Sequence, residues 1–269
     1  MPRSILAVAN QKGGVGKTTT AVSVGAALAE MGRKVLLIDI DPQANATSGL
    51  GVDRTRVETS IYDVLVLGRS LEEARLHTAT PGLDIVPSDI ALAGSEIELV
   101  DLARRERRLQ YALETLAPDD DYVLIDSPPS LGLLAVNAVV AADALLIPIQ
   151  CEFYALEGLG LLMHTLALLR RELNPTLRIA GIVMTLFDAR LALAHQVVDE
   201  VRERFGEQLL TPLIPRNVRL SEAPSHGMPI TLYDPTCRGA IAYRQLSANL
   251  DARIHGGAYL ASAGIPSPA

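Results

Sequence analysis

The chain has 269 residues, of which 49% are hydrophobic and 20% are charged, and its formal net charge is −7 at pH 7. A chain of this length and apolar content can bury one substantial core, which favours a single α/β domain. Its acidity excludes a protein coated in positive charge for nucleic acid, so any contact with DNA must use a local basic patch.

Neither a membrane segment nor a disulfide framework is predicted. Residues such as Asn137 and Asp143 interrupt the apolar stretches, which stay shorter than the roughly eighteen residues that a transmembrane helix needs. The apolar run at residues 5–9 is too short for the core of a signal peptide. Two cysteines, Cys151 and Cys237, are too few for a disulfide framework or a four-ligand zinc site. A cytoplasmic protein is therefore expected.

Short β-branched apolar runs alternate with longer helical patterns along the chain, which is typical of βαβ units in a mostly parallel sheet. The predicted strands are residues 5–9, 35–39, 83–86, 122–126, 144–149 and 179–185. The predicted helices are residues 17–31, 95–116, 131–141, 156–173, 193–205 and 239–254, with Gly32 as a cap of the first.

Together with the glycine-rich sequence QKGGVGKTT at positions 11–19, these elements predict one α/β domain of the P-loop NTPase type. Several strands are apolar throughout, as expected in a doubly wound sheet with helices on both faces. Ligands of such sheets bind beyond the carboxyl ends of the strands. The domain is predicted to span residues 1–255, and the Gly-, Ala-, Ser- and Pro-rich residues 256–269 are predicted to form a disordered tail.

A glycine-rich loop lies between the first predicted strand and the first predicted helix. Its sequence, QKGGVGKTT at positions 11–19, has the strand–loop–helix context that a phosphate-binding P-loop requires. Glycines let backbone amides face phosphate oxygens, and the helix adds its positive N-terminal end. Lys17 can reach the β- and γ-phosphates, and the Thr18 hydroxyl can ligate Mg²⁺. The expected cofactors are ATP and Mg²⁺, bound by Gly13, Gly14, Val15, Gly16, Lys17, Thr18 and Thr19.

The loop departs from the usual G-x-x-x-x-G-K-[ST] pattern. Gln11 stands where the first glycine would be, and an additional lysine, Lys12, follows it. In this the loop resembles the deviant Walker A motif, whose extra lysine reaches across a dimer interface to the partner subunit's nucleotide. The resemblance implies a nucleotide-binding and catalytic role for Lys12, and the alternative is a solvent-exposed loop lysine.

Carboxylates end two apolar strands that should lie beside the P-loop. Asp39 ends the second predicted strand, Asp41 lies two residues further along and on the same face, and Asp126 ends the fourth strand. A carboxylate at the end of an apolar strand is costly unless it is paired or near a cation, which in a P-loop protein is Mg²⁺. Asp126 has the Walker B position, so the metal site is assigned to Thr18, Asp39 and Asp126. Asp41 is assigned to the γ-phosphate, where it orients the attacking water. The alternative is that these aspartates initiate turns before the prolines that follow.

Longer motifs match from residue 5 to about residue 250. The segments are NQ at 10–11, DIDPQANATSG at 39–49, DSPPS at 126–130, EFYALEG at 152–158 and IPRNVRLSEAP at 214–224. In these segments the chain resembles the ParA/Soj family of chromosome-partitioning ATPases, within the wider group that includes MinD. The resemblance implies an ATP-dependent homodimer that binds double-stranded DNA nonspecifically on the nucleoid and is released when a ParB-type partner stimulates hydrolysis. It assigns Pro215 and Asn217 to the adenine-contacting loop, and Arg190 and Arg219 to DNA.

The charge distribution bears separately on DNA binding. Residues 211–254 carry five arginines and three acids, a net charge of +2 in an otherwise acidic chain. Arginine contacts with phosphates supply affinity without sequence preference, although these arginines could instead pair with local acids. Only nine residues precede Asn10, so no helix-turn-helix for operator binding is expected there.

Three other functions use a similar loop. A MinD-like ATPase needs a basic amphipathic helix at its C-terminus to bind lipid, and residues 256–269 contain no lysine or arginine, so no membrane partner is expected. A reductase like the nitrogenase iron protein needs a cysteine shortly after Asp126, but residues 127–136 contain none. The MinD-like function and an ATP-dependent ligase of the dethiobiotin synthetase type remain as alternatives.

Overall fold

The computed structural model describes residues 2–130, 132–153 and 155–256. The strands within this part are β1 (Ser4–Val8), β2 (Val35–Asp39), β3 (Leu76–His77), β4 (Leu83–Val86), β5 (Tyr122–Asp126), β6 (Ala144–Gln150) and β7 (Arg178–Thr185). They form one sheet in the order β3-β4-β2-β5-β1-β6-β7. Neighbouring strands run parallel, except that β3 and β4 pair antiparallel at one edge. The mostly parallel sheet predicted from the sequence is confirmed.

Helices cover both faces of this sheet. They are α1 (Lys17–Glu30), α2 (Asn45–Gly49), α3 (Leu71–Ala74), α4 (Leu92–Val100), α5 (Arg108–Glu114), α6 (Leu133–Ala141), α7 (Ala155–Glu172), α8 (Ala192–Phe205), α9 (Val218–Glu222), α10 (Ile230–Tyr233) and α11 (Arg238–His255). Side chains of α3 to α8 form a core on one face, and side chains of α1, α2 and α9 to α11 form a second core on the other. Successive residues of β2 alternate between these cores, since Leu36 belongs to the first and Leu37 to the second.

The strand register determines where the polar ends of the strands meet. Asp39 of β2 pairs with Asp126 of β5, and Val8 of β1 pairs with Asp126 from the other side. Because these strands are parallel, their carboxyl ends lie at the same edge of the sheet. The glycine-rich loop that leaves β1 therefore begins beside both carboxylates.

The predicted helix over residues 95–116 is wrong as one continuous helix. The structure has α4 and α5, separated by a turn in which Arg104 adopts a left-handed conformation with φ of 54°. The buried Asn137 side chain of α6 pairs with backbone groups at this break. It donates to the Arg105 carbonyl at 2.7 Å and accepts from the Leu109 amide at 3.1 Å. A residue of another helix thus supplies the partners that a continuous helix would have supplied within itself.

Several short elements, including α2, α3, α9, α10 and the edge strand β3, were not predicted. The first helix ends as expected, with Gly32 at φ of 85° directly after the C-cap residue Met31. None of the described helices is both long and apolar enough to cross a membrane. The predicted tail lies almost wholly outside the described residues, so the domain boundary at residue 255 stays a prediction.

Candidate nucleotide-binding site

The glycine-rich loop is shaped as a cradle in front of α1. Gly14 and Gly16 have positive φ angles of 76° and 83°, a conformation that residues with a Cβ rarely adopt. A Cβ added at Gly13 or Gly14 would meet nothing within 4 Å, so open space lies in front of the loop. The loop ends at Gly16, and the 14-residue helix α1 starts at Lys17. Free helix amides and the positive end of the helix therefore face the space where an anion would bind.

Two polar side chains from outside the glycines hold the loop in place. Asn10 donates to the Pro148 carbonyl at 2.7 Å and accepts from the Lys12 amide at 3.0 Å. Thr185, at the end of β7, donates to the Val15 carbonyl at 2.9 Å. The ends of β6 and β7 thus position the loop. No role was predicted for either side chain, although Asn10 lies in the NQ motif at 10–11.

Lys17 is buried at the base of this loop, with a relative exposure of 7%. Its ammonium group donates to the Lys12 carbonyl at 3.0 Å. Burial lowers the pKa of Lys17, while the carboxylates of Asp126 and Asp41 oppose that shift. A buried ammonium group has three donors, so phosphate oxygens can take the remaining ones.

Lys12 is oriented differently from Lys17. Its ammonium group forms an ion pair with Glu152 at 2.9 Å, and both side chains are partly exposed. The other Glu152 carboxylate oxygen accepts a short hydrogen bond from the Gln150 side chain. The loop that follows β6 therefore holds Lys12 at the surface. Glu152 lies in the EFYALEG motif at 152–158, but its pairing with Lys12 was not predicted.

Asp39 is fully buried, and its partners belong to the protein. One carboxylate oxygen accepts from the Asp41 amide at 3.2 Å, and the other accepts from the amide and hydroxyl of Thr47 at 2.8 and 2.7 Å. Burial raises the pKa of Asp39 to about 6, although these hydrogen bonds oppose the shift. The structure thus connects Asp39 to α2 through Thr47. Its assignment as a metal ligand stays a prediction.

Asp126 has the opposite surroundings. Both of its carboxylate oxygens are buried, and neither has a hydrogen-bond partner among the described residues. Burial raises the pKa of Asp126 well above its ordinary value, and the neighbouring carboxylates of Asp39 and Asp41 raise it further. Lys17 and Thr18 both favour the charged form of Asp126. The Thr18 hydroxyl does so from nearby, although its geometry does not meet that of a hydrogen bond.

An unpaired buried carboxylate beside a phosphate loop fits a site for Mg²⁺. No group of three or more metal-ligating side chains is found among the described residues. Mg²⁺ in nucleotide sites needs no such cage, since it takes one or two protein ligands and completes its shell with phosphates and water. Thr18 and Asp126 are the residues whose positions suit that role.

Asp41 is also buried, with a relative exposure of 6%. One of its carboxylate oxygens accepts from the Gln43 amide at 2.9 Å, and its carbonyl accepts from the Ser88 hydroxyl at 2.7 Å. The loop after β2 is thus held on two sides. The carboxyl groups of Asp39, Asp41 and Asp126 thus lie close to the single ammonium group of Lys17, and a divalent cation bound there would favour their charged forms.

The predicted adenine loop lies beyond β7. Pro215 pairs with Phe187 as an isolated parallel bridge, and the Asn217 side chain caps α9 by accepting from the Arg219 amide at 2.8 Å. A cavity of about 410 Å³ opens nearby, between α1, α2 and the segment 220–230. Thr18 and Thr19 line this cavity, whereas Pro215 and Asn217 are not among its described lining residues.

The two arginines assigned to DNA are exposed, but both have acidic partners. Arg190 forms a two-pronged contact with Asp188 at 2.9 and 2.6 Å. Arg219 pairs with Glu222 at 2.8 Å and with Asp234 at 3.4 Å. The structure thus shows local ion pairs where a basic surface was predicted, and the assignment to DNA stays a prediction.

Comparison with known proteins defines the family. A family model described as an AAA domain matches residues 3–179. The sporulation initiation inhibitor protein Soj of Bacillus subtilis is 52% identical over 248 residues, which cover 92% of this chain and 98% of that protein. The chromosome partitioning protein ParA of Caulobacter vibrioides is 52% identical over 254 residues, 94% of this chain and 95% of that protein.

Solved structures share the fold. A structure of cobyrinic acid a,c-diamide synthase from Mycobacterium smegmatis with bound ADP and magnesium is 39% identical, with a TM-score of 0.83. The match covers 95% of this chain and 96% of that one.

Fold and site together define a P-loop ATPase, an enzyme that hydrolyses ATP. Since two thoroughly covered relatives are about half identical, the chain belongs to the ParA/Soj family of chromosome-partitioning ATPases.

Proposed function

We propose that this ATPase works as an ATP-dependent homodimer that binds double-stranded DNA without sequence preference. The position of Lys12 is the observation that carries this proposal. Lys17 lies buried under the loop, whereas Lys12 turns outward to Glu152 at the surface. A second lysine of a phosphate loop that faces outward is available to the nucleotide of another copy. Dimerisation would then complete each site with Lys12 of the partner subunit.

The roles within one subunit follow from the buried geometry. Gly13 to Thr19 bind the phosphates, and Lys17 neutralises the β- and γ-phosphates. Thr18 and Asp126 hold Mg²⁺, which when bound neutralises charge that develops on the phosphates. Asp41 positions the attacking water. Asp39, whose oxygens are bound by Thr47 and the Asp41 backbone, positions the two loops around it, and its predicted contact with Mg²⁺ would be an additional role.

Hydrolysis would end the DNA-bound state. The subunit is acidic overall, so a surface with enough positive charge for DNA requires two copies side by side. Arg190 and Arg219 are the proposed phosphate contacts, and they would exchange their carboxylate partners for DNA phosphates. A ParB-type partner would stimulate hydrolysis and so release the dimer from the nucleoid.

An ATP-dependent biosynthetic ligase is the second candidate. It is favoured by the structural similarity to the cobyrinic acid a,c-diamide synthase of Mycobacterium smegmatis, which is 39% identical to this chain. The higher identity to Soj and ParA argues against it. A ligase would bind ATP in the same phosphate loop, but its affinity for DNA would not differ between the ATP-bound and ADP-bound states.

Retention on random duplex DNA separates the two functions. Purified protein is compared with ATP, with ADP and without nucleotide, by biosensor or gel-mobility assay. We expect retention only with ATP and Mg²⁺, together with a shift from monomer to dimer by light scattering. Equal DNA affinity with ATP and ADP would refute the DNA-linked switch and leave the ligase as the better candidate.

A further inference from the structure

The loop that carries Asp41 is connected to a neighbouring loop by a buried side chain of α2. Thr47 is fully buried, and its hydroxyl takes part in two hydrogen bonds. It donates to one carboxylate oxygen of Asp39 at 2.7 Å and accepts from the Ser88 amide at 3.0 Å. The Thr47 amide donates to the same Asp39 oxygen at 2.8 Å. Thr47 thus joins the loop after β2 to the loop after β4.

Ser88 completes this connection from the other side. It is also fully buried, and its hydroxyl donates to the Asp41 carbonyl at 2.7 Å. The Asp41 amide in turn donates to the other carboxylate oxygen of Asp39 at 3.2 Å. These hydrogen bonds form a closed ring through Asp39, Thr47, Ser88 and Asp41, which we call the Thr47 ring. Both backbone groups of Asp41 belong to it.

The side chain of Asp41 lies outside the Thr47 ring. One of its carboxylate oxygens accepts from the Gln43 amide at 2.9 Å, and the other makes no hydrogen bond within the described part of the chain. That second oxygen can accept from a water. Because the ring holds the amide and the carbonyl of Asp41, the side chain can turn only about its own two bonds. The ring therefore determines where the second oxygen points.

Burial makes each member of the Thr47 ring depend on the others. Asp41 is 6% exposed, and the other three residues are fully buried. Removal of one hydroxyl leaves a buried donor or acceptor without its partner, so the loops must move to pair it again. A misplacement of about 1 Å in a group that orients a reactant can slow a reaction by roughly 100-fold. A small shift of Asp41 would thus be enough to slow hydrolysis.

We infer that Thr47 and Ser88 are positioning residues for ATP hydrolysis, which act through Asp41. The Thr47 hydroxyl fixes the loop after β4 relative to Asp39, and the Ser88 hydroxyl then fixes the Asp41 carbonyl. This inference rests on the proposed function, in which Asp41 positions the attacking water. A defect in the Thr47 ring should therefore lower kcat and leave the affinity for ATP almost unchanged.

Steady-state hydrolysis, combined with calorimetric counting of ATP sites, tests the inference. Thr47→Val removes the hydroxyl and keeps the shape of the side chain, Thr47→Ser restores the hydroxyl, and Ser88→Ala opens the ring at a second place. The matched controls are Thr80→Val and Ser247→Ala, whose buried hydroxyls have no hydrogen-bond partner among the described residues. The number of ATP sites per chain distinguishes slow turnover from a smaller folded fraction.

We expect kcat per ATP site to fall about tenfold or more in Thr47→Val, with KM for ATP within about threefold of the wild type. Ser88→Ala should lower kcat about threefold or more, because the Asp41 carbonyl keeps the Ala44 amide as a donor. Thr47→Ser should recover kcat to within about threefold of the wild type, and both controls should match it. If Thr47→Val does not fold, Ser88→Ala and Thr47→Ser decide the matter.

Two outcomes would overturn the inference: wild-type kcat in Ser88→Ala together with folded Thr47→Val, or Thr47→Ser as slow as Thr47→Val. Asp41→Ala, measured alongside, separates the inference from the proposed function. If that variant hydrolyses ATP at the wild-type rate, the role of Asp41 and the inference fail together. If it does not turn over while the ring variants hydrolyse ATP normally, only the inference fails.

Discussion

Lys17 is buried and makes one hydrogen bond among the described residues, an arrangement that is costly for an ammonium group unless nearby carboxylates or a bound anion balance its charge. We predict that Lys17→Ala abolishes nucleotide binding, because it removes the charge that faces the β- and γ-phosphates. A lost charge-assisted contact weakens binding by roughly 10- to 100-fold or more. Calorimetric titration with ATP and Mg²⁺ measures the effect, and Lys34→Ala, at an exposed position outside the loop, serves as the control. Tight ATP binding by Lys17→Ala would refute the assignment.

Asp41 differs from Lys17 in its proposed role, which concerns water and not nucleotide affinity. We predict that Asp41→Ala binds ATP, accumulates as a dimer and does not turn over. Light scattering with ATP and steady-state phosphate release measure the two halves of this prediction. Hydrolysis at the wild-type rate would eliminate Asp41 as the residue that orients the attacking water.

Asp126 lowers the stability of the protein when no metal is bound, because burial raises its pKa. Below the ordinary pKa of an aspartate, the group is protonated in both the folded and the unfolded chain and has no effect. As the pH rises above that value, the unfolded chain releases its proton first, so the free energy of unfolding falls until the raised folded pKa is reached.

We therefore predict that Asp126→Asn stabilises the metal-free protein at pH 8 by about 1–3 kcal/mol, roughly 2–4 °C in Tm for each kcal/mol. The variant should lose the additional stabilisation that Mg²⁺ gives in the presence of ADP. Differential scanning calorimetry measures both effects, with Asp199→Asn at an exposed ion pair as the control. A metal-free Tm below that of the wild type would contradict this account of Asp126.

At the scale of elements, the last helix, α11, packs on α1 through apolar side chains and carries one acidic side chain, Asp251, that adds a polar attachment. Asp251 of α11 accepts hydrogen bonds from Arg33 at 3.0 and 2.8 Å and from the Tyr122 hydroxyl at 2.8 Å. Burial alone would raise the pKa of Asp251, but the hydrogen bonds from Arg33 and Tyr122 outweigh it and hold the pKa below its ordinary value. This contribution to stability is present above the ordinary pKa of an aspartate and is lost as the pH falls through the lowered one.

We predict that Asp251→Ala lowers the free energy of unfolding by about 2–4 kcal/mol at pH 7, because it removes an acceptor that the half-buried Arg33 guanidinium and the buried Tyr122 hydroxyl share. Urea denaturation measures the change. The exposed pair of Asp199 and Arg202 provides the comparison, and Asp199→Ala should cost less than about 1 kcal/mol. Equal costs for the two variants would show that Asp251 does not anchor α11.

The strands of the sheet could be predicted because each is determined by the apolar residues of its own segment. Strands such as β2 and β5 are buried on both faces, and this appears in the sequence as an unbroken apolar run. The break between α4 and α5 was not predictable, because the side chain that satisfies it, Asn137, belongs to another helix. The edge strand β3 has only two residues, both exposed, so it has no apolar pattern.

The same distinction applies to the site. The phosphate loop and the carboxylates at the strand ends follow from the order of the elements, since parallel strands bring their carboxyl ends together. The hydrogen-bond partners of the individual carboxylates cannot be deduced from the order of the elements. Asp39 binds Thr47 because Ala44, in a left-handed conformation, starts α2 there, and Lys12 pairs with a residue on a distant loop. Neither contact leaves a periodic signal in the sequence.

For the whole molecule, DNA binding is an electrostatic question. The chain is acidic, and arginines of the basic segment 211–254 take part in ion pairs within the subunit, Arg219 with Glu222 and Arg244 with Glu30. Asp188 likewise holds Arg190, whose guanidinium lowers the pKa of that carboxyl. These arginines must therefore leave their carboxylate partners before they can contact phosphates. A single subunit offers few such arginines. Two subunits together double the number.

We predict that Arg219→Glu abolishes retention on random duplex DNA and that Arg190→Glu weakens it, while ATP-dependent dimerisation survives in both. Each reversal removes a phosphate contact from both subunits, so the slope of log affinity against log salt should fall by about 2 for Arg190→Glu. Arg202→Glu, an exposed arginine of α8 that pairs with Asp199, makes the same change in net charge and should bind as the wild type does. Biosensor measurements over a salt series with two unrelated sequences test this. If all three variants weaken equally, net charge and not a defined arginine surface governs DNA binding.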